Sequence, residues 1–203
     1  GKVVLVGQYC PTPEYSQNNA VAAVRYNAGG TLDSTFGTGG IVTKQVGAFS
    51  DHAISAAVQK DGRIVLGGFT LKGYTDFDFL LIRLNSDGSS DEGFGSHGVV
   101  MTNMGESDRA TAVQIQSDGH IVLGGYSHAS SGSTDLTLAR YRSDGALDDA
   151  FGSHGVSTQQ VSTKEGDGTS KLGLVIQDDG KIVTGGYAFI DDKSYFAVTR
   201  FNP

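Results

Sequence analysis

The chain repeats one segment four times, and this repeat constrains the fold more than any other feature. Residues 58–69 return at 115–126 and 176–187 with the pattern apolar-Gln-x-Asp-Gly-x-Ile-Val-x-Gly-Gly-aromatic, and residues 1–9 match its second half. The turn glycines recur every 57 to 61 residues, at Gly1, Gly62, Gly119 and Gly180. Self-similarity at a fixed period is typical of repeat architectures, whose units bury apolar faces against their neighbours.

Two further landmarks keep the same spacing. An arginine ends a short apolar run in each unit, at Arg25, Arg83, Arg140 and Arg200. The motif Asp-x-x-Phe-Gly follows in three units and starts at Asp33, Asp91 and Asp148. Three landmarks in one order and one spacing exclude a chance similarity.

Each unit is predicted to contain four strands, which we call a, b, c and d. In the second unit they are expected at 53–59, 64–68, 79–84 and 99–102, and no 3.6-residue apolar period predicts a substantial helix. Asp-Gly after strand a predicts a tight hairpin in which both central residues have positive φ. The glycine pairs at 67–68, 124–125 and 185–186 are expected to end strand b.

Short strands in regular groups of four favour an all-β fold, a β-propeller made of four-stranded blades. The predicted units span about 1–50, 51–107, 108–167 and 168–203 of one propeller segment. The first unit lacks strand a and the fourth lacks strand d. An open ring exposes sheet edges and blade faces, so we expect either part of a longer protein or a homo-oligomer that completes a ring.

The repeat also resembles a known family. The motif V-Q-x-D-G-K/R-I-V-L-G-G-Y, followed by x-A-R-Y-N-x-D-G-x-L-D-x-x-F-G-x-x-G-V, is similar to bacterial delta-60 repeats and to a longer version of NHL-type blades. The resemblance covers residues 1–203 and implies a β-propeller. It also implies an extracellular or cell-surface bacterial protein and no defined catalytic site.

Charge and composition narrow the range of partners. The net charge is −7 and the pI is near 5.0, which disfavours nucleic acid because phosphate backbones are repelled. No apolar run approaches the ~20 residues of a membrane-spanning helix, so no membrane insertion is expected. Cys10 is the single cysteine and is interpreted as a structural or loop thiol.

The repeated polar residues have structural and functional interpretations. His97 and His154 occupy the place of Gly39 and fit a turn, although two histidines on neighbouring blades could hold a ligand. Asp33, Asp91 and Asp148 lack the spacing of a calcium loop and are interpreted as turn residues. The four arginines could grip an acidic ligand, but a pair with an aspartate of the same blade is the simpler hypothesis. No metal site, cofactor or catalytic residue is predicted.

The segments that differ between units carry the functional hypothesis. The b–c loops, expected at 8–20, 69–78, 126–135 and 187–195, vary in length and chemistry and should emerge on one face. The sequence therefore favours a non-enzymatic binding or scaffolding module for a protein or carbohydrate, with Tyr15, Tyr74 and His128 as candidate contacts. The alternatives are a metal-dependent hydrolase or lactonase-like propeller with carboxylates in its channel, and a purely structural spacer.

Overall fold

The computed structural model describes residues 1–11, 18–73, 76–105, 107–128, 133–162, 172–190 and 193–203. Across those ranges, fourteen strands form four antiparallel sheets, which confirms the predicted all-β fold. The first sheet contains β1 (Val3–Tyr9), β2 (Ala20–Tyr26) and β3 (Ile41–Lys44). The second contains β4 (Asp51–Val58), β5 (Ile64–Leu71), β6 (Phe77–Leu84) and β7 (Val99–Thr102).

The third sheet contains β8 (Ser107–Ile115), β9 (Ile121–His128), β10 (Thr134–Tyr141) and β11 (Val156–Ser162). The fourth contains β12 (Gly173–Ile176), β13 (Ile182–Ile190) and β14 (Lys193–Phe201). The described part of the chain contains no helix of the length and apolarity that crossing a membrane requires.

Each sheet is a blade whose strands pair in chain order. The second and third blades have strands a to d, whereas the first has b, c and d and the fourth has a, b and c. Strands a of neighbouring blades bond directly: Val113 N donates to Ser55 Oγ at 3.2 Å. Leu172 N, directly before β12, likewise donates to Thr111 Oγ1 of β8 at 3.2 Å. Strands a are therefore the strands of successive blades that lie side by side, as expected along the inside of a propeller.

The apolar core lies between the blades. Three clusters fill the three spaces between consecutive sheets, and the cluster between the second and third blades includes Val65, Leu81 and Leu123. Side chains alternate across each strand, so every internal blade has two apolar faces. The blades stabilise one another by covering these faces, each apolar residue contributing about 1.5–3 kcal/mol when fully buried.

The glycine pairs lie inside strand b rather than at its end, which corrects the prediction. A Cβ added at Gly67 would lie 2.7 Å from Leu123 Cδ1 of the next blade. A Cβ at Gly68 would lie 1.8 Å from the carbonyl oxygen of His52 in strand a. The first glycine thus allows the neighbouring blade to approach and the second allows a bulged strand a to pair closely.

The a–b hairpin is present, but its turn type differs from the predicted one. Gly62 N donates to Gln59 O at 2.9 Å and Gln59 N donates to Arg63 O at 2.8 Å. Gly62 has φ 86°, whereas Asp61 is not among the residues with positive φ. These features define a three-residue loop, a type I turn closed by a glycine bulge. Asp61 Oδ1 accepts the Arg63 N–H at 3.0 Å, which explains the aspartate.

Candidate functional site

The two ends of the blades differ, and we name them by their connections. The lower face carries the a–b and c–d turns, and the upper face carries the b–c and d–a connections. The same turn geometry recurs along the lower face: Gly88 N donates to Asn85 O at 2.9 Å in a c–d turn. Gly145 N donates to Arg142 O at 3.0 Å in the next blade. The lower face is therefore a uniform surface built from one repeated turn.

The repeated arginines form structural contacts on the lower side of the blades. Nε of Arg25, Arg83 and Arg140 lies 2.6, 2.7 and 2.7 Å from Oδ2 of Asp33, Asp91 and Asp148. Each of these guanidinium groups also lies 4.3–4.7 Å from the ring centroid of the phenylalanine in the same Asp-x-x-Phe-Gly motif. These three arginines are therefore engaged inside the blade, as the simpler hypothesis expected.

The same arginines connect neighbouring blades. Nη1 of Arg83 donates to the carbonyl oxygen of Ser143 in the next c–d turn at 2.6 Å, and Arg25 makes the equivalent bond to Ser86. Gly95 N donates to Asp144 O in that turn at 2.8 Å. Arg200 lies on β14 and is exposed. The repeated arginine and the Asp-x-x-Phe-Gly motif therefore join each blade to the c–d turn of the following one. We call this set of contacts the latch.

The repeated aspartates are held as carboxylates by this latch. Burial alone would raise the pKa of Asp91, but hydrogen bonds from Gly93 N and Arg83 outweigh it and lower the pKa below its ordinary value. The pKa of Asp33 is lowered chiefly by its hydrogen bond with Lys2, at 2.6 Å, and by Thr35. They act as turn and ion-pair residues.

The turn histidines adopt a left-handed backbone. His97 has φ 52° and His154 has φ 51°, close to the 62° of Gly39 at the same repeat position. His97 is exposed and its Nδ1 contacts Glu92 Oε2. Among the described residues, no group of three or more His, Cys, Asp or Glu side chains is placed to hold a metal ion.

Two buried carboxylates organise the upper face, and the sequence analysis missed both. Asp51 accepts hydrogen bonds from Val46 N at 2.6 Å and from Thr70 Oγ1 at 2.6 Å. Asp108 accepts the Met104 N–H at 2.6 Å. Each carboxylate fixes the d–a connection that enters its blade. The available signal was a glycine followed within four residues by Ser-Asp, at 47–51 and 105–108.

The surroundings of Asp108 raise the pKa of its carboxyl group. Its pKa rises to about 6, mainly because the carboxyl group is buried, and the nearby charges of Asp78 and Asp76 add to the effect. Asp108 Oδ1 and Asp78 Oδ1 are buried and have no hydrogen-bond partner among the described residues. Oδ2 of Asp78 contacts Lys72 Nζ at 2.5 Å. The upper side of the second and third blades is thus acidic, and Lys72 neutralises part of this charge.

An aromatic–arginine cluster lies beside these carboxylates, formed by His52, Phe69, Phe77 and Arg109. The rings of His52 and Phe69 stack with centroids 4.6 Å apart, and Phe69 meets Phe77 edge-to-face at 5.6 Å. The Arg109 guanidinium lies 3.9 Å from the Phe77 ring centroid and 5.9 Å from that of Phe69. All four residues are half-buried.

Strand register brings the cluster together from residues that are distant in sequence. His52 is the second residue of β4 and lies opposite Phe69 on β5, and Phe77 begins β6 opposite Leu71. Arg109 comes from β8 of the next blade, and its Nε is buried without a hydrogen-bond partner in the described structure. Burial lowers the pKa of His52, and the charge of Arg109 acts in the same direction against that of Asp51.

Of the three predicted ligand contacts, the described part of the structure includes His128. Tyr15 and Tyr74 lie outside the described residues. His128 ends β9 instead of lying in a loop, is 9% exposed, and has Nδ1 at 3.4 Å from Thr134 Oγ1. The b–c connection of the third blade is accordingly shorter than predicted and spans 129–133.

Two grooves lie on the lower face, between successive a–b turns. One has a volume of about 460 Å³ and lies between Val58 and Ile115, and the other, of about 480 Å³, lies between Ile115 and Val175. Both grooves are formed by the repeated turn itself. They therefore follow from the scaffold, whereas the upper cluster is specific to the second and third blades.

Comparison with known proteins agrees with this architecture. Residues 1–36, 59–94, 116–151 and 177–203 match a family described as a beta-propeller domain of unknown function, DUF5122. The three matches that reach an Asp-x-x-Phe-Gly motif end at Phe36, Phe94 and Phe151, the rings under the latch arginines. No curated protein matches the chain. Because the matches cover more than half of the residues, the chain belongs to the DUF5122 beta-propeller family.

Proposed function

We propose that this propeller segment is a non-enzymatic recognition module that binds a protein ligand at its upper face. The observation that supports it best is the half-buried cluster of His52, Phe69, Phe77 and Arg109, in which the Arg109 guanidinium lies 3.9 Å from the Phe77 ring centroid. Aromatic residues and arginine are enriched in protein interfaces, and a few such residues in well-packed, desolvated positions supply most of the binding energy.

The charges around the cluster favour a particular kind of contact. Arg109 supplies a half-buried guanidinium, but Asp76, Asp78 and Asp108 already concentrate negative charge nearby. A backbone carbonyl of a peptide can accept a hydrogen bond from this guanidinium without adding another charge. The surface therefore suits a neutral or basic peptide segment, with an apolar side chain packed on the exposed part of Phe77.

The connections of the upper face add to this argument. The connections between strands b and c span 10–19, 72–76, 129–133 and 191–192. They differ in length, except that the second and third are equally long, and those two differ in sequence. The turns of the lower face instead keep one geometry in every described blade. Variation confined to one face of a constant scaffold is typical of a recognition surface.

Binding to peptide arrays, followed by affinity measurement on a retained peptide, tests the proposal. Phe77→Ala and Arg109→Met should each weaken binding at least about 30-fold, the loss expected of a hot-spot residue. Arg142→Ala removes an exposed guanidinium from the lower face and serves as the matched control. Retention of glycans alone, retention of neither class, or equal affinity of Phe77→Ala and the parent chain would each overturn the proposal.

The membership in the delta-60 repeats and the cellular location of the protein stay predictions. The resemblance to delta-60 repeats and the extracellular or cell-surface location rest on the sequence motif alone. No described contact favours the hydrolase alternative over the recognition module. A chain that binds no ligand in these assays would leave the structural spacer as the working hypothesis.

A further inference from the structure

Asp51 and Asp108 occupy the same place in their blades but differ in their hydrogen bonds. Both oxygens of Asp51 accept one, Oδ2 from Val46 N and Oδ1 from Thr70 Oγ1, each at 2.6 Å. Oδ2 of Asp108 accepts the Met104 N–H at 2.6 Å, whereas its Oδ1 is buried without a hydrogen-bond partner among the described residues. Half of the Asp108 carboxyl group thus lacks the donors that stabilise a buried charge.

A residue of strand b explains this difference. Thr70 lies opposite Asp51 on β5, and Ser127 lies opposite Asp108 on β9. The Thr70 hydroxyl donates to Asp51, but the Ser127 hydroxyl lies 2.6 Å from Thr137 Oγ1. Asp108 therefore lacks the hydroxyl donor that Asp51 has, and protonation of its carboxyl group gives up fewer hydrogen bonds.

The charges around Asp108 come mainly from the preceding blade. Burial is the main cause of the raised pKa of Asp108, and the charges of Asp78 and Asp76 add to it. Asp135 shares this region because it lies opposite Ser127, the residue that pairs with Asp108. The charged and titratable groups that face Asp108 or lie beside it are Lys72, Asp76, Asp78, Arg109, Asp135 and Tyr141.

Lys72 shows that a positive charge on this surface interacts with Asp108. Its side chain is 43% exposed, so its ammonium group lies at the rim of the acidic region. The hydrogen bond with Asp78 is the main cause of the raised pKa of Lys72, and the charges of Asp78, Asp76 and Asp108 add to it. A second positive charge beside Lys72, supplied by a bound peptide, would interact with the same three carboxyl groups and favour the ionised form of Asp108.

We infer that Asp108 makes recognition at the upper face sensitive to pH, because a basic peptide that binds there expels the proton from Asp108. This regulation rests on the proposed recognition function and specifies the peptide further: a lysine or arginine lies beside Asp76 when an apolar side chain packs on Phe77. Asp108 is fully buried and acts through its charge without touching the peptide. By linkage, a ligand that favours the ionised form binds more tightly at a pH where that form prevails.

The pKa of Asp108 sets the pH range and the size of the effect. Because that pKa is about 6, the carboxyl group of the free chain is mostly protonated near pH 5 and mostly ionised near pH 7.5. Binding near pH 5 must remove the proton, whereas binding near pH 7.5 does not. A peptide that returns Asp108 to the ordinary carboxyl range should therefore bind up to about tenfold more weakly near pH 5.

Affinity measurements at these two pH values test the regulation with a lysine-containing peptide retained on the array. The peptide has blocked termini and no histidine or acidic residue, so its charge is the same at both pH values. It should bind the parent chain at least about threefold more weakly near pH 5. The same peptide with methionine in place of lysine should bind equally at both pH values.

Two variants of the chain complete this test. Asp108→Asn keeps an oxygen that can accept the Met104 N–H and should bind the lysine peptide equally at both pH values. Asp144→Asn is the matched control, since it removes an exposed carboxyl group from the lower face and should keep the pH dependence of the parent chain.

A measurement without ligand follows the proton itself. In NMR spectra of the parent chain, the Met104 amide resonance should shift with a midpoint near pH 6, because that amide donates to Asp108. The shift should be absent in Asp108→Asn. A Met104 resonance that does not titrate between pH 5 and pH 7.5 would overturn the role of Asp108.

The remaining outcomes separate the regulation from the recognition function. Equal affinity of the parent chain for the lysine peptide at both pH values would overturn the regulation alone. A pH dependence that persists in Asp108→Asn would also overturn it and would assign the effect to another group, such as His52. Retention of neutral peptides only would exclude the basic ligand, and retention of no peptide would overturn both proposals.

Discussion

Replacing Arg83 with alanine tests the latch that joins the second and third blades. The Arg83 side chain is 6% exposed and its Nε lies 2.7 Å from Asp91 Oδ2. Its Nη1 donates to Ser143 O at 2.6 Å, and its guanidinium covers the Phe94 ring at 4.3 Å. Arg83→Ala therefore removes an ion pair, a hydrogen bond to the next blade and a cation–π contact together.

The expected loss of unfolding free energy depends on the contacts that Asp91 keeps after the change. Breaking a buried ion pair by removing one partner costs about 3–5 kcal/mol, because the other charge stays buried. Asp91 keeps a second cation, since Arg63 Nε lies 3.2 Å from its Oδ2, so the lower end of that range, about 3 kcal/mol, is expected. For a chain of this length, that loss lowers Tm by about 6–12 °C.

Chemical and thermal denaturation at one fixed protein concentration measure this effect. Arg142→Ala is the control, because Arg142 is exposed and lies 3.8 Å from Asp144, and its loss should change stability by less than about 0.5 kcal/mol. A double-mutant cycle with Asp91→Ala separates the ion pair from the other contacts. Equal melting curves for Arg83→Ala and Arg142→Ala would refute the latch.

Two further changes test the upper and lower faces. Asp108 has its folded pKa raised from 3.8 to about 6, so the stability linked to its proton is complete below pH 4 and is lost as pH rises to about 6. Asp108→Asn should remove that pH dependence and stabilise the chain at pH 7 by up to about 3 kcal/mol, and parallel pH profiles would contradict this. Gly88→Ala should destabilise the chain more than Gly30→Ala. Both backbones have positive φ, but only the Cβ at Gly88 meets Gly37 and Phe36, so equal denaturation midpoints would contradict the packing argument.

Periodicity alone predicted the parts of the fold that every blade shares. The Asp-Gly and Arg landmarks located the strands of the second blade, and strand d at 99–102 matches β7 residue for residue. The predicted turn type was wrong, because Asp-Gly occurs both in two-residue loops and at the end of a type I turn with a glycine bulge. The local sequence does not distinguish them, and the hydrogen bond from Gln59 N to Arg63 O does.

Sequence analysis did not predict most residues of the candidate site. His52, Phe69, Phe77 and Arg109 belong to four strands of two blades, and only strand pairing and blade packing bring them together. Asp51 and Asp108 carried a weak local signal, but their burial depends on the path of the d–a connection. His128 was assigned to a loop because a loop boundary cannot be read from alternation at the end of a strand.

The repeating unit, its all-β fold class and its recurring landmarks could be read from the sequence. A periodic pattern of turns and apolar strands predicts repeated sheets that bury their apolar faces against one another. Whether a given side of a blade is covered by a neighbour follows from the packing of the blades and not from the repeat. The sequence gives Val198 and Leu138 the same place in the repeat, yet one is 60% exposed and the other is fully buried. The difference arises because burial depends on whether another blade lies against that face, and no local pattern encodes it.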